Sequence, residues 1–145
     1  MEFIGYLAAF FSTLFCGAAM YITFAEHPAR IECGTQVAAT VFGPSYRRAA
    51  IMQASLAILA TITALAAWYF GQTVLWLLGA ALIFAVIPVT FIVIMPTNKQ
   101  LLSEHLSKDS HATQELLDTW GRLHSIRSLL SLLSSILFLY ILSTK

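Results

Sequence analysis

Charge is scarce in this chain: Asp, Glu, Lys and Arg make up 10% of its 145 residues, against roughly a quarter in a soluble domain. A water-solvated surface is thereby excluded. Charge of one sign is missing as well, since 8 basic residues face 7 acidic ones for a formal net charge of +1. No field of that kind holds nucleic acid, and without a Lys/Arg run there is no patch for lipid headgroups. Cysteine is limited to Cys16, inside the first apolar block, and Cys33, well beyond its polar end; that separation argues against a disulfide, and both are read as free thiols. There is no CxxC, no HExxH, no Gly-rich phosphate loop and no nucleophile elbow. A metal site, a nucleotide hydrolase and a serine hydrolase therefore have no support.

What the chain does have is long apolar blocks: 59% of its residues are hydrophobic and the mean hydropathy is +0.79. Phe3 to Ala25 carries no charge and is long enough to cross a hydrocarbon core of about 30 Å. Its leading Met1-Glu2 is acidic where a secretory signal is basic, so it is read as a retained span. Ala49 to Asn98 is again free of charge and long enough for two spans, divided by a turn at Phe70-Gly71-Gln72-Thr73. Ser128 to Thr144 supplies a fourth, borrowing Leu123 and Ile126. The sequence predicts a single all-α domain over residues 1–145, a bundle of four transmembrane helices at about 3–26, 48–70, 73–96 and 123–144 with a short amphipathic segment in each loop on the charged side. One such segment covers Thr35 to Val41, closed by Gly43-Pro44, with Ser45 capping span two. The other starts from an N-cap at Asp109 or Ser110 and extends helix four several turns beyond the bilayer.

Small residues line one face of three spans. Gly5, Ala9, Ser12, Cys16, Ala19, Thr23 and His27 do so on the first, Gln53, Ala57, Ala60, Ala64 and Ala67 on the second, and His124, Arg127, Ser128, Ser131 and Ser135 on the fourth. Such faces let helix backbones approach in lipid, and their extent leaves room for a homo-oligomer. Arg30, Arg47, Arg48, Lys99, Lys108, Arg122 and Arg127 all fall in or beside two loops, and only Lys145 lies on the other side. The positive-inside rule then predicts loops 27–48 and 97–126 in the cytoplasm, both termini opposite, and residence in the plasma (inner) membrane. No charge sits at mid-membrane and only Pro88 interrupts a span, which speaks against a transporter.

The polar residues gather where the small-residue faces end. Glu26-His27-Pro28-Ala29-Arg30 closes span one, with Glu26 and Arg30 four apart and able to pair; Pro28 lacks an N–H, frees the Phe24 carbonyl and predicts a kink or stop. Tyr46, Arg47 and Arg48 open span two, Asn98 follows Pro96 at the end of span three, and Trp120, His124 and Arg127 fall at i, i+4 and i+7 on helix four. Taken singly, each is an ordinary helix-end anchor, and His105 and His111 are read as loop histidines and nothing more. Gathered at one depth, they form a pocket for a flat, acidic aromatic molecule, with rings stacked on Trp120 and cations stabilising an oxyanion.

On these residues the chain resembles the DUF1772 family of small membrane proteins, whose named members include the fungal anthrone oxygenases. The resemblance is carried by Glu26-His27-Pro28-Ala29-Arg30, Tyr46-Arg47-Arg48-Ala49, Pro96-Thr97-Asn98 and Trp120-x-x-x-His124-x-x-Arg127, with Asn in many relatives where this chain has His124. It covers nearly the whole chain, its length and its span order. It implies a small-molecule oxygenase that takes an anthrone to an anthraquinone with O₂ and no cofactor. An anthrone has an acidic CH₂, so a neutral histidine removing its proton and cations stabilising the phenolate-like anion leave a species that itself reduces O₂. His124 is then the general base, His27 a second base or proton relay, Arg30 and Arg127 the anion stabilisers, and Tyr46, Arg47, Asn98 and Trp120 the substrate-binding set. The partners implied are a lipophilic aromatic small molecule, admitted laterally or from the interface, and the lipid bilayer itself.

Two rival readings stand beside this one. His27 and His124 on antiparallel helices have the pattern of axial ligands to a b-type haem, in an electron-transfer protein. Alternatively the protein is a scaffold whose cations are neutralised by Glu26, Glu32, Glu104, Asp109, Glu115 and Asp118 and merely fix the helix ends.

Overall fold

The computed structural model describes residues 2–71 and 73–144, the side chain of residue 2 excepted; Met1, Gln72 of the expected turn and Lys145 lie outside them. Four helices, α1 (Phe3–Glu32), α2 (Thr35–Tyr69), α3 (Leu75–Leu101) and α4 (His111–Ser143), are each long and apolar enough to cross a membrane. No strand occurs among the described residues, and the architecture fits an integral membrane protein. α1 packs against α2 and α4, and α3 packs against the same two, so α1 and α3 stand on one diagonal of the bundle and α2 and α4 on the other.

The small-residue faces are the buried ones. Ala9, Ser12, Cys16 and Ala19 of α1, the Gln53 to Ala67 series of α2 and the His124 to Ser135 series of α4 all point inward. Hydroxyls stitch the seams: Ser12 Oγ lies 3.0 Å from Ser135 Oγ, and Ser134 Oγ donates to the Gly79 carbonyl at 2.9 Å. Gly79 is needed there, because a Cβ on it would overlap the ring of Phe138. Lipid-facing positions are bulky instead, Phe10, Ile62, Phe84 and Leu139 among them.

At the hairpin end, Gly71 adopts φ +85°, a left-handed conformation that glycine enters without a Cβ penalty. At the other end Ser110 caps α4, its Oγ accepting from the Thr113 N–H at 3.2 Å. The expected short helix from Thr35 is present but does not stop at Gly43-Pro44: α2 runs unbroken to Tyr69 with Pro44 inside it. Ser45 therefore caps nothing, and its hydroxyl donates to Glu26 of α1. The physical reason is tertiary. Ala38, Ala39 and Phe42, just before the proline, are buried in one layer with Ile22, Leu117 and Trp120, and that burial holds the two halves in line despite the lost hydrogen bond at Pro44.

Pro28 does not stop α1 either. The ladder widens over Ile22–Glu26 into a π-turn in which the His27 N–H bonds the Ile22 carbonyl, and α-helix resumes over His27–Glu32. α3 repeats the device: Val89–Ile94 is a π-turn, the Met95 N–H bonds the Thr90 carbonyl, and Pro96 follows. In both helices the residue immediately before a proline makes the five-residue bond. A proline lacks the N–H that would continue the α-ladder, so the extra residue is absorbed where the ladder is already weakened.

Candidate functional site

Both π-turns lie at the bundle end where the polar residues gather. α1 delivers Thr23, His27 and Arg30 to the interior, the last two buried. Arg30 is fixed by the Glu26 carboxylate, four residues back, whose same oxygen accepts the Ser45 hydroxyl. α3 delivers Asn98, fully buried, and α4 delivers Trp120, His124 and Arg127 from one face.

Trp120 is the hub. Its ring stacks on His124 at 4.8 Å and 27°, meets His27 at 5.1 Å, takes the edge of Phe42 at 5.2 Å and has the Arg30 guanidinium 5.8 Å above it. Its Nε1–H donates to Asn98 Oδ1 at 2.8 Å, and Asn98 Nδ2 donates to the Tyr46 hydroxyl at 3.2 Å. With Tyr46 accepting from Asn98, its own proton is free for another acceptor.

His124 is oriented by a chain of hydroxyls. Ser128 Oγ donates to the Ala19 carbonyl at 3.1 Å, which commits its one proton. Thr23 Oγ1, 2.8 Å from Ser128 Oγ and 3.1 Å from His124 Nδ1, then donates to Ser128 and accepts from His124 Nδ1–H. The neutral ring is thereby held with its proton on Nδ1 and its lone pair on Nε2, and Nε2 has no protein partner among the described residues.

Arg127 is buried and has no carboxylate within ion-pair distance among the described residues. Its Nη2 donates to Gln53 Oε1 at 2.6 Å and its guanidinium lies 5.5 Å from the Phe15 ring centre, while its Nε and Gln53 Nε2 are buried donors without acceptors. Of the acidic residues that a purely structural network would use, Glu26 alone engages a buried cation, Arg30. A buried cation is costly without a counter-charge, so this arrangement suits a site completed by an anion.

A cavity of about 20 Å³, room for roughly one water, gathers polar groups of Arg30, Ser45, Tyr46, Gln53, His124 and Arg127 among the apolar walls of Ile22, Phe42, Ala49, Ala50 and Trp120. Tyr46, Ala50, Gln53 and Arg127 also border a larger apolar chamber of about 280 Å³ between α2 and α3.

The structure thus brings together His124, Arg127, Arg30, Tyr46 and Trp120 at one cavity. Asn98 reaches it only through Tyr46 and Trp120. His27 borders an open groove on the outer side, with Pro28, Asp118 and Arg122, and touches Trp120 from there. Arg47 stands apart: it is exposed and runs beside Gly43 and Leu102. His105 and His111 are exposed, His111 beside Glu115, and both cysteines are free.

Four residues here carry no role in the sequence reading of the site. Thr23, Ser128 and Gln53 are visible in sequence only as members of small-residue faces; a glutamine among alanines in a span is the one available signal. Gly121 has none, yet a Cβ on it would lie 2.6 Å from His27 Nε2, so glycine lets α4 pass close to α1. No group of three metal-ligating side chains occurs among the described residues. A haem bound through His27 and His124 would have to displace the Trp120 indole, which packs on both rings.

No curated protein and no solved structure matches the chain. The family model described as anthrone oxygenase matches residues 42–137, which takes in Tyr46, Gln53, Asn98, Trp120, His124 and Arg127 and leaves the contribution of α1 outside it. With more than half of its length matched, the chain belongs to the anthrone oxygenase family.

Proposed function

We propose that the protein is a membrane-embedded, cofactor-free oxygenase acting on a lipophilic aromatic substrate with an acidic C–H flanked by a ring and a carbonyl, as in an anthrone. One observation carries the reading: His124, its Nδ1 tethered through Thr23, borders the same small cavity as Arg127, a buried cation without a carboxylate.

The substrate proton passes to His124 Nε2, and the charge left on the substrate oxygen is taken up by Arg127, with the free Tyr46 proton as a second donor. The delocalised anion gives one electron to O₂, and the resulting radical pair combines to form a C–O bond; the peroxide anion takes the proton held by His124 to become a hydroperoxide, which restores the base. His124 Nε2 then removes the second C–H proton as the O–O bond breaks to give the ketone, and that proton passes to the departing hydroxide as water. One O₂ thus converts a CH₂ to a C=O with release of one water. Arg30, neutralised by Glu26, keeps Trp120 and so His124 in place. The exposed Arg47, Arg48, Lys99, Lys108 and Arg122 at this end support a cytoplasmic site, with both termini across the plasma (inner) membrane.

Oxygen uptake with a hydroxylated anthrone, measured on the detergent-purified protein, tests the reading. His124→Ala is expected to lower turnover by about 10²–10⁴-fold, the usual contribution of a positioned base. Uptake equal in both proteins would remove His124 from the chemistry.

A further inference from the structure

The polar cavity is too small for any aromatic substrate, but it does not end at Arg127. The chamber of about 280 Å³ behind it is close to the lower limit of about 300 Å³ for small-molecule sites. Its walls are Ala54, Ala57 and Ile58 from α2 and Ile87, Phe91 and Met95 from α3. Two sequence features open it. α2 lines this side with the small side chains of Ala50, Ala54 and Ala57, and α3 carries its π-turn, Val89–Ile94, at this level, which moves the following side chains out of α-helical register. Ile58 and Phe91 are turned outward, Phe91 by 65%, so the chamber opens toward lipid rather than water.

We propose that the α2–α3 hairpin carries a lipid-facing substrate chamber, through which an apolar ring compound bearing one acidic group passes from the bilayer and brings that group to Gln53 and Arg127. Charge complementarity selects the occupant. Gln53 and Arg127 are both more than nine-tenths buried, each holds a donor without an acceptor, and both sit on the wall shared by the chamber and the polar cavity. An acyl chain would fill the apolar part but leave the Arg127 cation without a counter-charge; an anion on an apolar body supplies one. The oxygenase reading gains a route and a seat for its substrate, but the chamber itself does not depend on which reaction follows.

The test is binding of 9-anthracenecarboxylate, a fluorescent three-ring acid, to the protein in phosphatidylcholine nanodiscs, with empty discs subtracted. Ala54→Phe fills the chamber from an outward position, Arg127→Gln removes the cation, and Leu133→Phe changes a lipid-facing position of α4 away from it. The first two are expected to weaken binding by about tenfold or more, which is roughly 1.4 kcal/mol each, and the third to leave it unchanged. Wild-type affinity in Ala54→Phe or in Arg127→Gln, or no binding above empty discs, would overturn the proposal. Binding that depends on Ala54 and Arg127 without oxygen uptake from any hydroxylated anthrone would sink the oxygenase reading and leave the chamber standing. Full uptake in Ala54→Phe together with wild-type affinity for the probe would do the reverse.

Discussion

A histidine serves as a base only with one nitrogen free, and in this protein the other nitrogen is committed by a hydroxyl on a different helix. Thr23 and Ser128 are 105 residues apart, so no spacing rule finds them, whereas Trp120, His124 and Arg127 are legible as one face of a helix. Thr23→Val keeps the shape and removes the acceptor of His124 Nδ1–H; leaving a buried donor unpaired costs about 1–3 kcal/mol, so kcat should fall by about 5-fold to 150-fold. Thr23→Ser should restore most of it, and a steady-state assay in which KM moves instead of kcat would contradict the orienting role. Arg127 makes the opposite kind of prediction. Replacing it together with its partner, as Gln53→Leu with Arg127→Met, should abolish turnover yet raise the stability of the ligand-free protein by about 1–4 kcal/mol, as when other buried polar pairs are exchanged for apolar residues. Denaturation in mixed micelles reads this directly, and a less stable double variant would mean that the cation belongs to the framework. Gly121 is the third case: Gly121→Ala should destabilise by about 1–3 kcal/mol through its clash with His27. In a His27→Ala background that cost should largely vanish, and an additive double-mutant cycle would contradict the contact.

At the scale of the helix, prolines mislead in one consistent direction. Pro28, Pro44 and Pro88 each read as a stop, a boundary or an interruption, and each lies within a continuous helix. Sequence periodicity registers the missing N–H but not the layer of side chains that holds the halves together, as Phe42 and Trp120 do around Pro44. Nor does it register the π-turns, because one extra residue in a uniformly apolar run such as Val89-Thr90-Phe91-Ile92-Val93-Ile94 leaves no trace in hydropathy. Removing Ile92 should let α-helix replace the π-turn and rotate everything after it by about 100°. Asn98 would then leave Trp120 and Tyr46. The deletion variant should keep its helical circular dichroism, lose the Trp120 part of its near-ultraviolet signal while keeping that of Trp76, which is stacked on Phe138, and lose turnover; a variant that remained active would show that the π-turn is incidental.

For the whole molecule, composition reaches the membrane class, the placement of the apolar blocks the number of helices, and the spacing of small residues which faces are buried, because lipid requires backbone groups to be satisfied within each segment and small residues where helices meet. The division of the site into a polar cavity and an apolar chamber was out of reach, since it depends on how α2 and α3 pair rather than on either one. The placement of Arg47 misleads for a related reason: next to Tyr46 in sequence, it points about 100° away on the helix and is exposed. The central claim is that this bundle end removes a proton from carbon and holds the resulting anion before oxygen arrives. Anaerobic stopped-flow absorbance with a hydroxylated anthrone tests that step apart from the oxidation. The account predicts that the red-shifted band of the anthrone anion appears in the wild-type protein without O₂, persists until O₂ is admitted, and is absent in His124→Ala. No anion before O₂, or the same anion in His124→Ala, would contradict it.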